Sequence, residues 1–295
     1  MKILVTGATG FIGSYLCDKF SQKGYEIIAL TRNPGKVKFK ALKWSDEKIE
    51  KNSDVNEIDV VINLAGENIF SLRWNEKKKE RILNSRIKIT KALSSFIKNL
   101  PQKPELFIQV SAIGYYKSKE EIQREDGEKG NNFLSYVTSE WEKASEEVEG
   151  LGIRRVIARL GIVLGEGGFL KKIKLPFKFF AGSIIGDKKR WISWIHIDDV
   201  ISSFDYFIRN KNLSGIFNIT SPNPVRAEEF YKKIGNVLKR PCFFYIPDFW
   251  VKILMGEIAE NLVLVNQRII PGKLIGAGYN FKFENIDDAL KNLLI

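Results

Sequence analysis

Short apolar runs alternate with amphipathic stretches along the first half of this 295-residue chain. The runs are typical of buried strands, whereas the stretches between them repeat their apolar residues at helical spacing. The predicted strands are Lys2–Thr6, Glu26–Thr31, Asp59–Leu64, Leu106–Ser111 and Arg154–Arg159. The predicted helices between them are Phe11–Lys23, Glu76–Asn99 and Asn132–Glu149. This alternation predicts an α/β fold built on a doubly wound parallel sheet.

The pattern changes at about Gly161, where prolines and aromatic residues replace the clean alternation. Helical spacing returns at Ala227–Leu238, Asp248–Gly256 and Ile286–Leu293. We therefore predict two domains, residues 1–160 and 161–295, with later strands free to return to the sheet. The second, a smaller α+β domain, should close over the carboxyl edge of the sheet, where open α/β folds bind their ligands.

Three glycines at three-residue spacing, Gly7, Gly10 and Gly13, follow the first predicted strand and precede the first predicted helix. This order leaves bare N–H groups at a helix N-terminus, where they and the helix dipole favour a phosphate. Gly7 would allow the sharp turn, Gly10 the approach of a pyrophosphate, and Gly13 the close packing of helix on strand. The sequence therefore predicts a dinucleotide-binding site.

The end of the second predicted strand indicates which dinucleotide is bound. Sites that prefer NAD carry an acidic residue here, which accepts a hydrogen bond from the ribose 2′-hydroxyl. This chain has Thr31 and Arg32 instead. Because a guanidinium can form two charge-assisted hydrogen bonds with a phosphate, we predict NADP(H) as the cofactor, with these two residues at its 2′-phosphate.

Composition argues against several other classes of function. The net charge is +12, but Glu76 and Glu80 flank the densest lysine run, Lys77–Lys79. Because no nucleic-acid-binding motif accompanies the charge, we expect no nucleic-acid partner. His196 is the only histidine and the two cysteines are far apart, so we expect no metal site. No apolar run is long enough to span a membrane, and a first strand at Lys2 leaves no room for a leader. We expect a reduced, cytoplasmic location and no membrane partner.

Nine short motifs, distributed from end to end of the chain, together resemble one family. They are TGATGFIG (Thr6–Gly13), NLAGE (Asn63–Glu67), RW (Arg73–Trp74), NSR (Asn84–Arg86), SAIGYY (Ser111–Tyr116), RLGIVLG (Arg159–Gly165), WISWIHIDDV (Trp191–Val200), NPV (Asn223–Val225) and NQR (Asn266–Arg268). The chain is similar to the extended short-chain dehydrogenase/reductases of the NAD-dependent epimerase/dehydratase family, and within them to the epimerase subgroup that includes family 39U. The resemblance implies a Rossmann domain for the nucleotide and a C-terminal domain for a small-molecule substrate. Relatives in the superfamily often pair through two helices, so a homodimer is one option.

The resemblance also implies which residues contact the cofactor. Besides Thr31 and Arg32 they are Gly7, Thr9, Gly10, Phe11, Ile12, Leu64, Ala65, Gly66, Arg86 and Ile162. In relatives, the position of Arg86 contacts the cofactor from below the sheet, and the position of Ile162 meets the nicotinamide carboxamide.

The superfamily's reaction uses a Tyr-x-x-x-Lys pair on one helix, with a serine or threonine nearby. Ser111 matches the serine position, at the end of a predicted strand. Tyr136 stands near the tyrosine position, but Glu140 occupies the place of the lysine. A lysine favours the phenolate of such a tyrosine and a carboxylate opposes it, so the active site is atypical. Ser111 and Tyr136 are the predicted catalytic residues.

The candidate substrate contacts are Tyr115, Tyr116, Trp194 and His196. The two tyrosines follow the catalytic serine, so at least one should face the crevice. His196 either lines the pocket or bonds to backbone, and Asp198 or Asp199 should cap the helix that follows.

Three functions stay open for the chain. The favoured one is hydride transfer on an unidentified small molecule by an oxidoreductase or epimerase. The others are an NADPH-binding sensor or scaffold with little turnover, and a partner-binding protein associated with cell division.

Overall fold

The computed structural model describes residues 1–45, 48–50, 57–70 and 73–295. Its strands are β1 (Lys2–Thr6), β2 (Glu26–Thr31), β3 (Lys40–Ser45), β4 (Lys48–Ile49), β5 (Val60–Asn63), β6 (Leu106–Ala112), β7 (Lys119–Gln123), β8 (Arg154–Leu160), β9 (Ile162–Leu164), β10 (Gly182–Ile185), β11 (Trp191–Ile192), β12 (Trp194–His196), β13 (Gly215–Ile219), β14 (Val225–Arg226), β15 (Cys242–Ile246) and β16 (Gln267–Ile269). Its helices are α1 (Phe11–Gln22), α2 (Glu76–Lys98), α3 (Phe133–Lys143), α4 (Glu147–Gly150), α5 (Gly168–Lys178), α6 (Ile197–Arg209), α7 (Ala227–Leu238), α8 (Asp248–Met255), α9 (Gly272–Gly276) and α10 (Ile286–Leu294).

The main sheet positions everything else in the molecule. Within the described ranges it has eight strands in the order β13-β8-β6-β5-β1-β2-β3-β4. Neighbouring strands are parallel, except that β4 runs antiparallel to β3. Helices cover both faces, which confirms the predicted doubly wound α/β fold.

Successive residues of β1 enter different cores, because side chains alternate across a strand. Ile3 and Val5 pack in one cluster with residues of α1 and α6, whereas Leu4 packs in another with residues of α2. All three are fully buried. Two-sided burial explains why the strand is a continuous apolar run rather than an alternating one.

The sheet is completed by residues far along the chain. β13 pairs with β8 from Gly215 to Ile219, and α6 packs on the same face as α1. The remaining C-terminal elements α5, α7 and α10 form their own apolar cluster around Phe177 and Phe230. The division at residue 160 stays a prediction, and the sheet itself takes a strand from beyond it.

The structure divides one predicted helix into two and adds a strand to the sheet that was not predicted. The helix predicted over 132–149 is two helices, α3 and α4, because the chain turns between Lys143 and Glu147. The strand β3 was not predicted, since Leu42 is its only fully buried residue and its apolar signal is weak.

His196, one of the predicted substrate contacts, caps α6 instead. Its Nδ1 accepts the N–H of Asp198 at 3.0 Å, so its Nε2 carries the proton and faces Oδ1 of Asn292 at 3.1 Å. Its ring stacks on Phe283 with centroids 3.9 Å apart. The expectation that an aspartate caps this helix is therefore wrong: Asp199 instead accepts backbone N–H groups of the segment that precedes α10.

Burial lowers the pKa of His196 to about 4. The folded protein therefore holds a neutral imidazole, while the unfolded chain takes up a proton as the pH falls below the ordinary value near 6.5. We expect the free energy of unfolding to fall by about 1 kcal/mol between about pH 7.5 and about pH 5.5.

Urea unfolding of the protein and of His196→Asn at both pH values tests this expectation. The chain has no other histidine, so the variant should lose this part of the pH dependence. An equal change in the free energy of unfolding between the two pH values in both proteins would contradict it.

Candidate functional site

Two glycines where β1 meets α1, one in the turn and one in the first turn of the helix, have no room for a side chain. Gly7 has φ of +69°, and a Cβ on it would lie 3.0 Å from the carbonyl group of Leu64. A Cβ on Gly13 would lie 2.1 Å from the carbonyl oxygen of Gly7. The close approach of α1 to the end of β1 therefore depends on the absence of these side chains.

The N-terminus of α1 is uncapped, unlike those of α2 and α3. Asn75 and Asn132 accept backbone N–H groups of α2 and α3 with their side chains. Gly10, which precedes α1, has no side chain to do so. The first N–H groups of α1 are thus available to an anion, and the helix dipole favours a negative charge there.

A buried polar network shapes the loop that follows β5. Oγ1 of Thr6 accepts the N–H groups of Leu64 and Ala65, both at 3.0 Å, and donates to Oδ1 of Asn63 at 2.7 Å. Asn63 in turn donates to Thr90 on α2. Asn63 therefore has a structural role, and Thr6 was missed because a single threonine in a strand carries no distinct signal.

A first cavity of about 730 Å³ opens over this turn and loop. Eight of the predicted cofactor residues line it: Gly7, Thr9, Gly10, Thr31, Arg32, Leu64, Ala65 and Gly66. Further polar lining comes from α2: Asn84 and Ser85, which belong to the NSR motif, and Arg81 and Lys88, which no motif includes. Arg81 and Lys88 were missed because their spacing matches an ordinary solvated helix face.

Two observations show that this cavity fits a phosphorylated dinucleotide. Arg32 is exposed at its edge and makes neither a hydrogen bond nor an ion pair with residues 1–45, 48–50, 57–70 or 73–295. Nε1 of Trp44, which also lines the cavity, is buried with no hydrogen-bond partner in the same ranges. A free guanidinium, an unpartnered donor and the bare α1 N-terminus together suit a ligand that carries several phosphate oxygens.

Arg86 lies behind the loop after β5 and reaches a second cavity. Its guanidinium donates to the carbonyls of Ile82 and Glu67 and stands 4.9 Å from the ring of Trp141. Burial lowers its pKa to about 10. Gly66 allows the guanidinium this position, since a Cβ there would lie 2.8 Å from its Cζ. Contact of Arg86 with the cofactor stays a prediction.

The second cavity, of about 350 Å³, lies at the carboxyl ends of β6 and β8. It brings together Ser111 and four predicted cofactor residues: Phe11, Ile12, Arg86 and Ile162. Its other walls are mostly apolar and come from α3, β11, the start of α5 and the segment before β16. The two cavities are neighbours at the sheet edge, since Gly10 lines the first and the next residue, Phe11, lines the second.

Ser111 is the outermost member of a buried charged network. Its Oγ donates to Oε1 of Glu142 at 2.6 Å, and Glu142 holds Arg159 through two contacts of 2.8 Å. Burial alone would lower the pKa of Arg159, but the hydrogen bond and charge of Glu142 raise it above its ordinary value. A neutralised ion pair thus anchors the hydroxyl, whose lone pairs remain free to accept a hydrogen bond from a ligand.

Three predicted substrate contacts do not line the second cavity. Cζ of Arg159 lies over the ring of Tyr115, 3.4 Å from the ring centroid. Tyr116 is fully buried and donates to Asn218. Trp194 is also fully buried and donates to the carbonyl of Asn223. Neither these three nor His196 lines the second cavity, and their contact with a substrate stays a prediction.

Tyr136 is not brought to Ser111. It is 48% exposed and lies outside both cavities. The face of α3 that lines the second cavity carries Leu134, Val137, Thr138 and Trp141. Helical periodicity explains the correction: the tyrosine lies two residues after one cavity-facing position and two before another, on the opposite side of the helix.

Within the part of the chain that the structure describes, no group of three or more His, Cys, Asp or Glu side chains is placed to hold a metal ion. In the same part of the chain, every helix is too short or too polar to cross a membrane.

The chain is similar to known proteins over nearly its whole length. The model of the NAD-dependent epimerase/dehydratase family matches residues 3–220, and that of a domain of unknown function (DUF1731) matches residues 246–293. The epimerase family protein YfhF of Bacillus subtilis is 38% identical, covering 100% of this chain and 98% of its own. The chloroplastic epimerase family protein SDR39U1 homolog of Arabidopsis thaliana is 35% identical, covering 100% and 87%. The crystal structure of human epimerase family protein SDR39U1 with NADPH is 30% identical, with a TM-score of 0.89 and 99% of both chains covered.

The ion pair below Ser111 yields a prediction on stability. Glu142→Gln leaves the charge of Arg159 buried without a carboxylate, so we expect a loss of about 3 kcal/mol in the free energy of unfolding. Urea unfolding followed by circular dichroism measures it. The exposed Glu146→Gln is the control and should change stability by less than about 0.5 kcal/mol. Equal losses in the two variants would contradict the role of the pair.

Proposed function

This chain belongs to the NAD-dependent epimerase/dehydratase family, and from that membership we propose that it is an NADP(H)-dependent oxidoreductase or epimerase with an atypical active site. The observation that carries the proposal is the meeting, at one sheet edge, of an uncapped helix N-terminus, a free Arg32 and an anchored Ser111. Its substrate is a small molecule that enters the second cavity.

The choice of NADP(H) over NAD(H) rests on charge. β2 ends in Thr31 and is followed by Arg32, and no carboxylate stands at this point to repel a 2′-phosphate. The crystal structure of the human relative contains NADPH, which supports the same choice. Gly7, Gly10 and the first turn of α1 would hold the pyrophosphate, and Phe11, Ile12 and Ile162 would border the nicotinamide.

When bound, the nicotinamide supplies or accepts a hydride. The residues of this chain exclude water from that exchange and hold a substrate oxygen. Ile12, Leu160 and Ile162 provide apolar walls, and Ser111 provides the polar contact. In a desolvated pocket such a contact orients the reacting carbon more strongly than it would in water.

The hydrogen-bond direction at Ser111 assigns its role. Because its hydroxyl donates to Glu142, its oxygen accepts the proton of a substrate hydroxyl. As a substrate alcohol is oxidised, that proton passes to Oγ of Ser111 while the serine proton passes to Oε1 of Glu142. Reduction of a carbonyl runs the same transfers backward, and it requires that Glu142 first take up one proton from solvent. Ser111 is the catalytic residue here, and Arg159 is a positioning residue that holds Glu142.

The face of α3 favours a second candidate function. No tyrosine or lysine of α3 faces Ser111, and Thr138 donates its hydroxyl hydrogen within its own helix. A protein that retains NADPH and turns over slowly, as a sensor or scaffold, agrees with this arrangement. Oxidation of bound NADPH by a panel of carbonyl compounds separates the two candidates.

A reduced, cytoplasmic location and the absence of a nucleic-acid partner complete the proposal. Cys17 and Cys242 are free thiols. In the lysine run Lys77–Lys79, near the start of α2, Lys78 and Lys79 form ion pairs with glutamates of this chain. Much of the positive charge of this run is therefore compensated within the protein.

Substitution of Arg32 tests the cofactor. Arg32→Ala should weaken NADPH binding by about 10- to 100-fold, the equivalent of a hydrogen bond to a charged group, and leave NADH binding unchanged. Isothermal titration calorimetry with both nucleotides measures this. Lys98→Ala, at the far end of α2, removes the same charge and should leave NADPH affinity as it is. An unchanged preference in Arg32→Ala would refute the assignment.

Substitution of Ser111 tests the chemistry. Ser111→Ala should slow oxidation of bound NADPH by a reactive carbonyl at least about 100-fold, because it removes the proton path. Its NADPH affinity should stay within about twofold of the original protein. Ser139→Ala, on the same helix as Thr138, is the control. Wild-type protein that is inert across the whole panel would favour the sensor instead.

A further inference from the structure

A third cavity, of about 650 Å³, adjoins the second one in the C-terminal part of the molecule. Phe70, Phe169 and Val263 line both cavities. The rings of Phe70 and Phe169 stack with centroids 6.5 Å apart, so an aromatic pair forms the boundary between the two spaces. A ligand that reaches Ser111 therefore lies next to this further volume, which is within the range of small-molecule sites.

The walls of the third cavity are apolar. They are Ile173, Pro176 and Phe177 of α5, Ala181, Ile185, Ile246, Met255 and the three shared residues. The few polar residues of this lining make contacts within the protein. Oγ of Ser183 donates to the carbonyl of Ala181, and Nζ of Lys172 lies over the ring of Phe70. Tyr231, the remaining one, is fully buried with its hydroxyl beside Arg190.

Apart from Ser111 and Nε of Arg190, which has no partner among the described residues, the polar groups of the second cavity are largely occupied within the protein. Ser193 hydrogen-bonds the carbonyls of Gln267 and Ile269. Gln267 donates to the carbonyls of Ile113 and Tyr116. Thr138 donates to its own helix. A substrate with many hydroxyl groups would find few free partners here, and each unpaired polar group would oppose binding.

We propose that the substrate carries a hydrocarbon tail that fills the third cavity while its carbonyl or hydroxyl carbon lies beside Ser111. This inference rests on the proposed function and names its substrate class: a lipophilic ketone, aldehyde or secondary alcohol rather than a sugar nucleotide. Continuity of the two cavities supports it, because a linear chain can pass the Phe70–Phe169 boundary without leaving apolar surroundings.

Methyl ketones of increasing length are the probes, because they present one carbonyl and a variable tail and react with lysine less readily than aldehydes do. The affinities of ethyl, butyl, hexyl and octyl methyl ketone are measured by calorimetry on the full chain saturated with NADP⁺, which cannot reduce them. Each buried methylene is worth up to about fourfold in affinity. We expect hexyl methyl ketone to bind at least about tenfold tighter than ethyl methyl ketone.

Filling the third cavity should abolish the gain from the tail. Ser183→Trp places an indole in the cavity from β10, and should return hexyl methyl ketone to the affinity of the ethyl compound while NADPH affinity is unchanged. Ala181→Trp fills the same space from the adjacent position and serves if the first variant does not fold. Ser95→Trp makes the same change on the exposed side of α2 and should behave like the original protein.

The outcomes separate this inference from the function on which it rests. Failure of the wild-type protein to bind NADPH would refute the proposed function, whereas tighter binding of longer ketones to the nucleotide-free protein would still support the tail inference. NADPH binding with no effect of ketone length would overturn the tail inference alone. Tight binding of UDP-glucose with no binding of the ketones would overturn it in favour of a sugar nucleotide.

Discussion

The direct contact between the end of β1 and the start of α1 is the constraint on which the site depends. A Cβ on Gly13 would lie 2.1 Å from the carbonyl oxygen of Gly7, so any side chain there would push the helix off the sheet. With glycine, the helix points its uncapped N-terminus at the sheet edge. The anion-binding capacity of that end follows from backbone groups alone, and the side chains around it only decide which anion fits.

A second constraint is the buried pair of Glu142 and Arg159. Charges this deep in a protein are tolerated when they are matched and hydrogen-bonded. Here the match has a functional consequence, because Oε1 of Glu142 also receives the hydroxyl of Ser111. The pair connects α3 to β8 and faces Tyr115 and Tyr116, so the tyrosines that resembled substrate contacts serve as packing for a cation.

The arrangement of α3 joins these observations to the apolar cavities. In the superfamily that the sequence resembles, this helix supplies an ionisable pair, whereas its cavity face here carries Leu134, Thr138 and Trp141. The cavity face of α3 carries no ionisable side chain, and the polar atoms around it are largely occupied. Both features favour a substrate held by shape and apolar contact over one held by many hydrogen bonds.

The sequence by itself determined most strands and helices of the nucleotide-binding half and the identity of its glycine turn. These features follow from local periodicity and from backbone positions that exclude a side chain, and both can be read from a short segment. The roles of Tyr136 and His196 were decided only by the tertiary structure. Whether a side chain on a helix faces a pocket depends on how the helix is rotated against its neighbours, and a hydrogen bond from His196 to Asn292 joins residues that only folding brings together.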